Sequence, residues 1–153
     1  MHGINLSGQD VFLILGIPIA CIIGIIAGVF LAVLYLHRRK GLSKKRSLGV
    51  ISISLLLMLT GAAISYGALR YAVMYGSGVP VIDDDIATVV ITALTTLAGG
   101  IAGGGAGYWL FSRKDKPASI RELILTGTAQ TFILISAVCI SIVLVVILGL
   151  MLF

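Results

Sequence analysis

The sequence has little charge. Lys, Arg, Asp and Glu make up 11% of its 153 residues, whereas 59% are hydrophobic. A water-soluble domain carries about 25% charged and about 45–50% apolar residues, so this chain cannot cover a water-facing surface. A disordered chain is excluded as well, because disorder requires low hydrophobicity and high charge. Together with a mean hydropathy of +1.15, these proportions predict a membrane protein.

Residues that carry catalysis or bind metals are also scarce. The chain has 2 Cys and 2 His. Cys21 and Cys139 lie inside apolar runs without paired spacing, where a free Cys usually behaves as a small hydrophobe. His2 and His37 lie at a terminus and a loop edge, so neither suits a metal or haem site. No Ser/His/Asp set, HExxH or phosphate-binding loop is present. We expect no enzyme activity, no metal and no cofactor.

Four apolar runs are long enough to cross a membrane. A helix needs about 20 apolar residues to span roughly 30 Å of hydrocarbon, and none of the runs shows the period-2 alternation of a β-barrel strand. The sequence therefore predicts an all-α polytopic membrane protein with four transmembrane helices in a single membrane domain, residues 1–153. The predicted spans are Val11–Leu36, Leu48–Tyr75, Ile86–Phe111 and Leu123–Phe153.

The basic residues predict the topology. Of 11 Lys and Arg, 6 lie between Arg38 and Arg46 and 4 between Arg113 and Arg121, whereas the middle loop, residues 76–85, has none. Short loops rich in Lys and Arg remain cytoplasmic. We therefore predict a multi-pass protein of the cell membrane with both termini outside, basic loops cytoplasmic and two like-oriented hairpins, residues 11–75 and 86–153. Clusters between apolar runs are typical of loop anchors and not of a nucleic-acid-binding face.

Glycine is concentrated in the third predicted span. Small residues let membrane helices approach closely, so rows of them predict packing surfaces. One interpretation is that they pack the four helices of one chain. The other, which the number of rows favours, is that they line a multi-subunit assembly, with other membrane subunits or further copies as partners besides the lipid bilayer. The residues predicted to pack are Gly24 and Gly28 in the first span and Gly99, Gly100, Gly103, Gly104 and Gly107 in the third.

The two halves of the chain resemble each other. A shift of 75 residues places Gly24 on Gly99 and Gly28 on Gly103. The same shift places the start of the first basic cluster on the start of the second. This agreement indicates two diverged copies of one helical hairpin in the same orientation, unlike the inverted repeats of many transporters.

Few polar side chains lie within the predicted spans. Arg70 is the only ionisable residue at depth. Near the outer end of its span a long side chain can extend to the interface, so we interpret Arg70 as an interface anchor, with Asp83–Asp85 as possible partners, in preference to part of a conduction path. A candidate polar patch facing the glycines comprises Thr95, Thr96, Gln130 and Thr131.

Duplicated hairpins with a Gly-rich first helix resemble the proteolipid rotor-ring subunits of A-type and V-type rotary ATPases. Locally, Leu123-Ile124…Ala129-Gln130-Thr131 is similar to the segment that carries their ion-binding carboxylate. Ile64-Ser65-Tyr66-Gly67 is similar to the segment after the ion site. The resemblance implies a subunit that binds a proton or sodium ion in the membrane. However, Gln130 stands where that family has Glu or Asp, and an amide cannot titrate.

These observations lead to two functional hypotheses. The first is a proteolipid-like component of an ion-translocating membrane complex, which the repeat and the topology favour. The alternative is a non-transporting accessory or assembly subunit of another membrane complex, which the missing carboxylate favours. A stand-alone channel or transporter would need a polar path that the sequence hardly offers.

Overall fold

The protein is a bundle of four long α-helices. The computed structural model describes residues 8–75, 84–112 and 118–152, which form α1 (Gly8–Lys40), α2 (Lys44–Tyr75), α3 (Asp84–Ser112) and α4 (Ile120–Leu152). No strand occurs within these three ranges. Each helix is long and apolar enough to cross a membrane, over Val11–Lys40, Lys44–Leu69, Ile86–Ser112 and Ile120–Leu152. The prediction of an all-α, four-helix membrane protein is confirmed.

The first basic segment is mostly helical and not a loop as expected. His37–Lys40 complete α1 and Lys44–Arg46 begin α2, which leaves a turn of three residues. Gly41 has a φ of 66°, the left-handed conformation that ends many helices and that glycine adopts without strain. Ser43 then caps α2, because its Oγ accepts a hydrogen bond from the Arg46 backbone N–H at 3.4 Å. Two caps in close succession make the turn short.

Each of the four described helices packs against at least one other. α3 lies between α2 and α4, and α1 packs mainly on α4. Although α1 and α2 are joined by the short turn, they share much less contact, and the backbones of α1 and α3 do not approach each other within the described ranges. Neighbouring helices are antiparallel: Val50 of α2 meets Gly107 of α3, whereas Gly61 meets Thr95. The first and last helices are therefore close neighbours in space.

Two glycine rows of α3 face two different helices. Gly99, Gly103 and Gly107 face α2, where a Cβ on Gly103 would lie 2.9 Å from the Ser54 Cα. Gly100 and Gly104 face α4, where a Cβ on Gly104 would lie 2.8 Å from the Gly127 Cα. The rows thus permit backbone approach on both sides of α3. Whether they also line a larger assembly remains a prediction.

Glycines also allow close contact between α1 and α4. A Cβ on Gly24 would lie 2.6 Å from the Val138 Cα, and one on Gly28 would lie 3.2 Å from the Leu134 Cα. Each of the seven glycines predicted to pack therefore lies against a helix of its own chain.

Buried apolar side chains are concentrated where the basic segments lie, which we call the basic end. The largest cluster of buried apolar side chains draws on α1, α2, α3 and the turn, and consists of Ala32, Leu36, Leu42, Val50, Ile51 and Tyr108. Farther from that end, open clefts of about 510 and about 290 Å³ separate α4 from α3 and α2 respectively, and Thr96 and Ile135 line both. The buried apolar core therefore lies at the basic end, and these two clefts lie farther along the bundle.

Replacing Gly127 should test whether backbone contact holds the bundle together. A Cβ at Gly127 would collide with the Ile101 carbonyl oxygen, whereas one at Gly67 would meet nothing within 4 Å. We expect Gly127→Ala to lower the free energy of unfolding in detergent by about 1–3 kcal/mol. Gly67→Ala, the control, should leave it unchanged or raise it slightly, because alanine favours the helix. Equal effects of the two substitutions would contradict the backbone-contact account.

Candidate functional site

Gln130 lies inside the bundle, between α4 and α3. It is fully buried and lies one helical turn after Thr126 on the face of α4 that turns inward. Gly104 of α3 is opposite, and a Cβ there would lie 3.1 Å from Gln130 Oε1. The absence of a side chain at Gly104 therefore gives the amide its space, while the contact between Gly104 and Gly127 brings the two helices together beside it.

Three fully buried polar side chains lack hydrogen-bond partners, and we call them the interior polar set: Ser47, Thr126 and Gln130. Neither Oε1 nor Nε2 of Gln130, nor Oγ1 of Thr126, nor Oγ of Ser47 bonds to a described group. An unpaired buried polar group costs about 1–3 kcal/mol, and a bilayer supplies no water to replace the partner. These residues are kept at a cost to stability, which marks the set as a candidate functional site.

Other buried hydroxyls nearby are paired. Ser54 Oγ donates to the Gly100 carbonyl at 3.1 Å and links α2 to α3. Thr131 Oγ1 donates to the Gly127 carbonyl at 2.8 Å within α4. Such bonds are ordinary for Ser and Thr in membrane helices. They set the interior polar set apart from its surroundings.

The predicted polar patch is divided between two levels of the bundle. Gln130 and Thr131 lie together in α4 beside Gly104 and Gly100. Thr95, farther from the basic end, donates to Ser65 of α2 at 2.8 Å, and Thr96 donates to the Thr92 carbonyl at 2.6 Å. Among the described residues, no hydrogen bond joins one pair to the other.

Charged and aromatic groups meet at the basic end. Lys40 Nζ of α1 forms an ion pair with Glu122 Oε1 of α4 at 2.9 Å. The Tyr108 hydroxyl donates to the same oxygen at 3.2 Å, and Lys40 Nζ lies 5.4 Å from the centroid of the Tyr108 ring. This Lys40–Glu122–Tyr108 group ties α1, α3 and α4 together where they leave the membrane.

The cap of α4 positions Glu122. Ser119 precedes the helix, and its Oγ accepts a hydrogen bond from the Glu122 backbone N–H at 3.3 Å. The sequence Ser119-Ile120-Arg121-Glu122 has the spacing of a capping box. Here, however, the Glu122 carboxylate pairs with Lys40 across the bundle.

A cavity of about 260 Å³ opens beside this group, lined by Lys40, Arg46, Tyr108, Ser112 and Glu122 among others. It is the most polar of the described cavities, because the clefts farther along the bundle are almost wholly apolar. Ser112 Oγ is enclosed without a hydrogen-bond partner in the described ranges.

Several predicted features fall outside the described residues. Arg70 belongs to α2, but its side chain is not described, and neither are Asp83 nor the side chains of Asp84 and Asp85. The anchor role of Arg70 therefore stays a prediction. Within the described ranges, no group of three or more His, Cys, Asp or Glu residues could hold a metal ion.

Sequence reasoning missed part of this site. Ser47 and Ser54 are seven residues apart on α2, a spacing that places both on one helix face and could have identified them. Nothing local indicates the pairing of Lys40 with Glu122, which are 82 residues apart and meet only through the packing of α1 on α4.

The chain matches no protein-family model, and neither a curated protein nor a solved structure is significantly similar to it.

A matched pair of substitutions should test the interior polar set. Thr126 and Thr131 are both buried on α4, but only Thr131 has a hydrogen-bond partner for its hydroxyl. We expect Thr126→Val to raise the free energy of unfolding by about 1–3 kcal/mol, because valine has nearly the shape of threonine but lacks the unpaired hydroxyl. Thr131→Val should lower it by about 0.5–1.5 kcal/mol.

Chemical unfolding in detergent micelles measures both differences. If Thr126→Val destabilises the protein as much as Thr131→Val, the Thr126 hydroxyl has a hydrogen-bond partner and does not belong to the interior polar set.

Proposed function

We propose that this protein is a small integral membrane subunit of a larger complex, with an accessory or assembly role and no transport activity of its own. The observation that carries the proposal is a row of small residues on α3 that its own helices leave uncovered. Ala98, Ala102 and Ala106 recur every fourth residue and are exposed. The two glycine rows on the same helix are occupied by α2 and α4.

This third row suits contact with another helix better than contact with lipid. A groove of about 230 Å³ runs beside it, lined by Ala102, Gly105 and Ala106 of α3 and by Ile120 and Ile124 among the α4 residues. Rows of small residues favour helix association, because they let backbones approach without steric conflict. By contrast, the exposed face of α1 carries large side chains such as Ile22, Ile26 and Phe30, which suit acyl chains.

The chemistry of the interior supports a role without transport. No Asp or Glu occurs between residues 11 and 82, between 86 and 114, or after Glu122. Glu122 lies at the basic end and pairs with Lys40. Gln130 is neutral at every physiological pH. A subunit that couples ion flow to motion needs a group that can lose and gain charge at depth.

The second candidate is a proteolipid-like component of an ion-translocating complex. In favour of it, Gln130 is fully buried, unpaired and located where the resemblance to rotor-ring subunits puts the carboxylate. A divergent ring subunit would keep the shape of the ion site after losing its charge. This candidate predicts many copies in a ring, whereas the first predicts one copy among unlike partners.

Cross-linking from α3 tests the first candidate. In a Cys21→Ala, Cys139→Ala background, Ala102→Cys labelled in native membranes with a maleimide that carries a photoreactive benzophenone should give a covalent adduct on irradiation, because the photoproduct inserts into C–H bonds of any neighbouring chain. Leu56→Cys is the control, because Leu56 is also exposed and its neighbour Leu57 contacts Gly99 at a similar depth. An adduct of about twice the 16.0 kDa chain mass identifies a second copy. Another mass identifies an unlike partner.

Equal adduct yields at the two positions, or none at either, would overturn the assembly role of this row. Mass determination in mild detergent separates the candidates further. A large homomeric ring supports the proteolipid-like role, one copy among unlike subunits supports the accessory role, and a lone monomer contradicts both.

Restoring a carboxylate tests the second candidate. Gln130→Glu should react with dicyclohexylcarbodiimide in membranes, and protons or sodium ions should alter the rate if the position is an ion site. Peptide mass mapping separates this reaction from any at Glu122, and the unsubstituted protein is the control. Absence of modification at position 130, or modification indifferent to both ions, counts against the proteolipid-like role.

A further inference from the structure

We propose that the apolar surface of the bundle fits a hydrocarbon layer of about 39 Å, so that lipids with long acyl chains stabilise the protein. An average bilayer has a hydrocarbon core of about 30 Å. From the rise per residue of an α-helix, the uncharged stretches Val11–Leu36 of α1 and Ile86–Phe111 of α3 are each about 39 Å long. The uncharged stretch Leu123–Leu152 of α4 is about 45 Å long. Three of the four helices therefore exceed the average core by about 9 Å or more.

Exposed apolar side chains extend over this whole length. Near the basic end, Leu31 of α1 and Ile124 of α4 are at least half exposed. Ile14 and Leu148, near the opposite ends of the same helices, are exposed to a similar extent. A core of about 30 Å measured from the basic end would reach neither of them, because they lie about 33 and about 38 Å along the two stretches. The thicker layer covers both and keeps them from water.

The second helix has the shortest uncharged stretch. Between Arg46 and Arg70, the stretch Ser47–Leu69 of α2 is about 35 Å long. Arginine carries its charge on a long side chain, which can extend to the interface while its stem stays in apolar surroundings. A layer somewhat thicker than the stretch itself is therefore compatible with Arg70, and α2 agrees with the other three helices.

Neighbouring helices keep a constant register, so a tilt in the bilayer would involve all of them together. α2 and α3 stay in contact from Val50 and Gly107 to Gly61 and Thr95, which are nearly the same number of residues apart on the two helices. To fit about 39 Å of helix into about 30 Å of hydrocarbon, such a bundle would tilt by about 40°. That angle is the upper limit for transmembrane helices, whose average tilt is about 20°.

The basic end argues against such a tilt. Lys40 of α1 pairs with Glu122 of α4 at 2.9 Å, and the Tyr108 hydroxyl of α3 donates to the same carboxylate. Only residues 41–43 separate α1 from α2, so the four helices end at one level along the bundle. With neighbouring axes about 9 Å apart, a tilt of about 40° would separate two such ends by about 6 Å in depth. Charged residues on one side would then enter the hydrocarbon, which is costly.

Reconstitution in bilayers of graded thickness tests this proposal. The unsubstituted protein is placed in liposomes of dimyristoleoyl, dioleoyl or dierucoyl phosphatidylcholine, which share one headgroup and increase in acyl-chain length. We expect the unfolding temperature, measured by scanning calorimetry, to rise in that order by about 5–10 °C in total, because each Å of mismatch carries a free-energy cost. A maximum in dioleoyl or dimyristoleoyl phosphatidylcholine overturns the proposal.

A matched pair of substitutions on α4 locates the edge of the layer. Leu144 and Met151 are both exposed and lie about 32 and about 42 Å along α4 from Leu123. Leu144→Lys should move the highest unfolding temperature to dioleoyl phosphatidylcholine, because its charge lies inside the thick layer but at the edge of the thinner one. Met151→Lys, the control, should leave the maximum in dierucoyl phosphatidylcholine. Equal effects of the two substitutions overturn the proposed thickness.

Helix tilt in the unsubstituted protein covers the case in which Leu144→Lys does not fold. Polarised infrared spectroscopy of oriented dierucoyl phosphatidylcholine bilayers should give a mean helix tilt of about 20° or less. A tilt near the upper limit in this lipid, or one unfolding temperature in all three lipids, shows that tilting accommodates the long helices. Either result overturns the preference for a thick bilayer.

Discussion

Close approach of helix backbones is the interaction on which the rest of this structure depends. Helices in a bilayer gain no hydrophobic free energy by burying apolar side chains against one another, since lipid tails are equally apolar. α3 meets this constraint with Gly103 against the Ser54 Cα and Gly104 against the Gly127 Cα. With α2 and α4 fixed on either side of α3, α1 is held in turn through Gly24 and Gly28 on α4.

Tight packing also explains how polar side chains survive inside the bundle. Gln130 occupies room left by Gly104, and Ser54 uses the proximity of α3 to bond with the Gly100 carbonyl. The same closeness encloses Thr126 and Ser47 without partners. The basic half thus carries most of the described buried polar groups that lack partners, and each such group calls for an explanation other than stability.

Periodicity and composition predict much of the fold, and pairwise packing accounts for the rest. Continuous apolar runs predict the four helices, and spacing of four residues predicts Gly99, Gly103 and Gly107 as one packing row. The basic residues predict a loop from Arg38 to Arg46, but the caps at Gly41 and Ser43 confine the turn to three residues. The Lys40–Glu122 pair depends on which helices become neighbours, and no local pattern specifies that α1 packs on α4.

The neighbourhood of α1 and α4 has a consequence for biosynthesis. Transmembrane segments emerge from the ribosome in order, so α1 enters the bilayer before its principal partner has been made. Until α4 is inserted, the face of α1 around Gly24 and Gly28 contacts acyl chains in place of α4. The face of α3 that packs on α4 is exposed to lipid in the same way. Closure of the bundle is therefore a late event that awaits completion of the polypeptide, and a nascent chain halted before residue 120 has no means of achieving it.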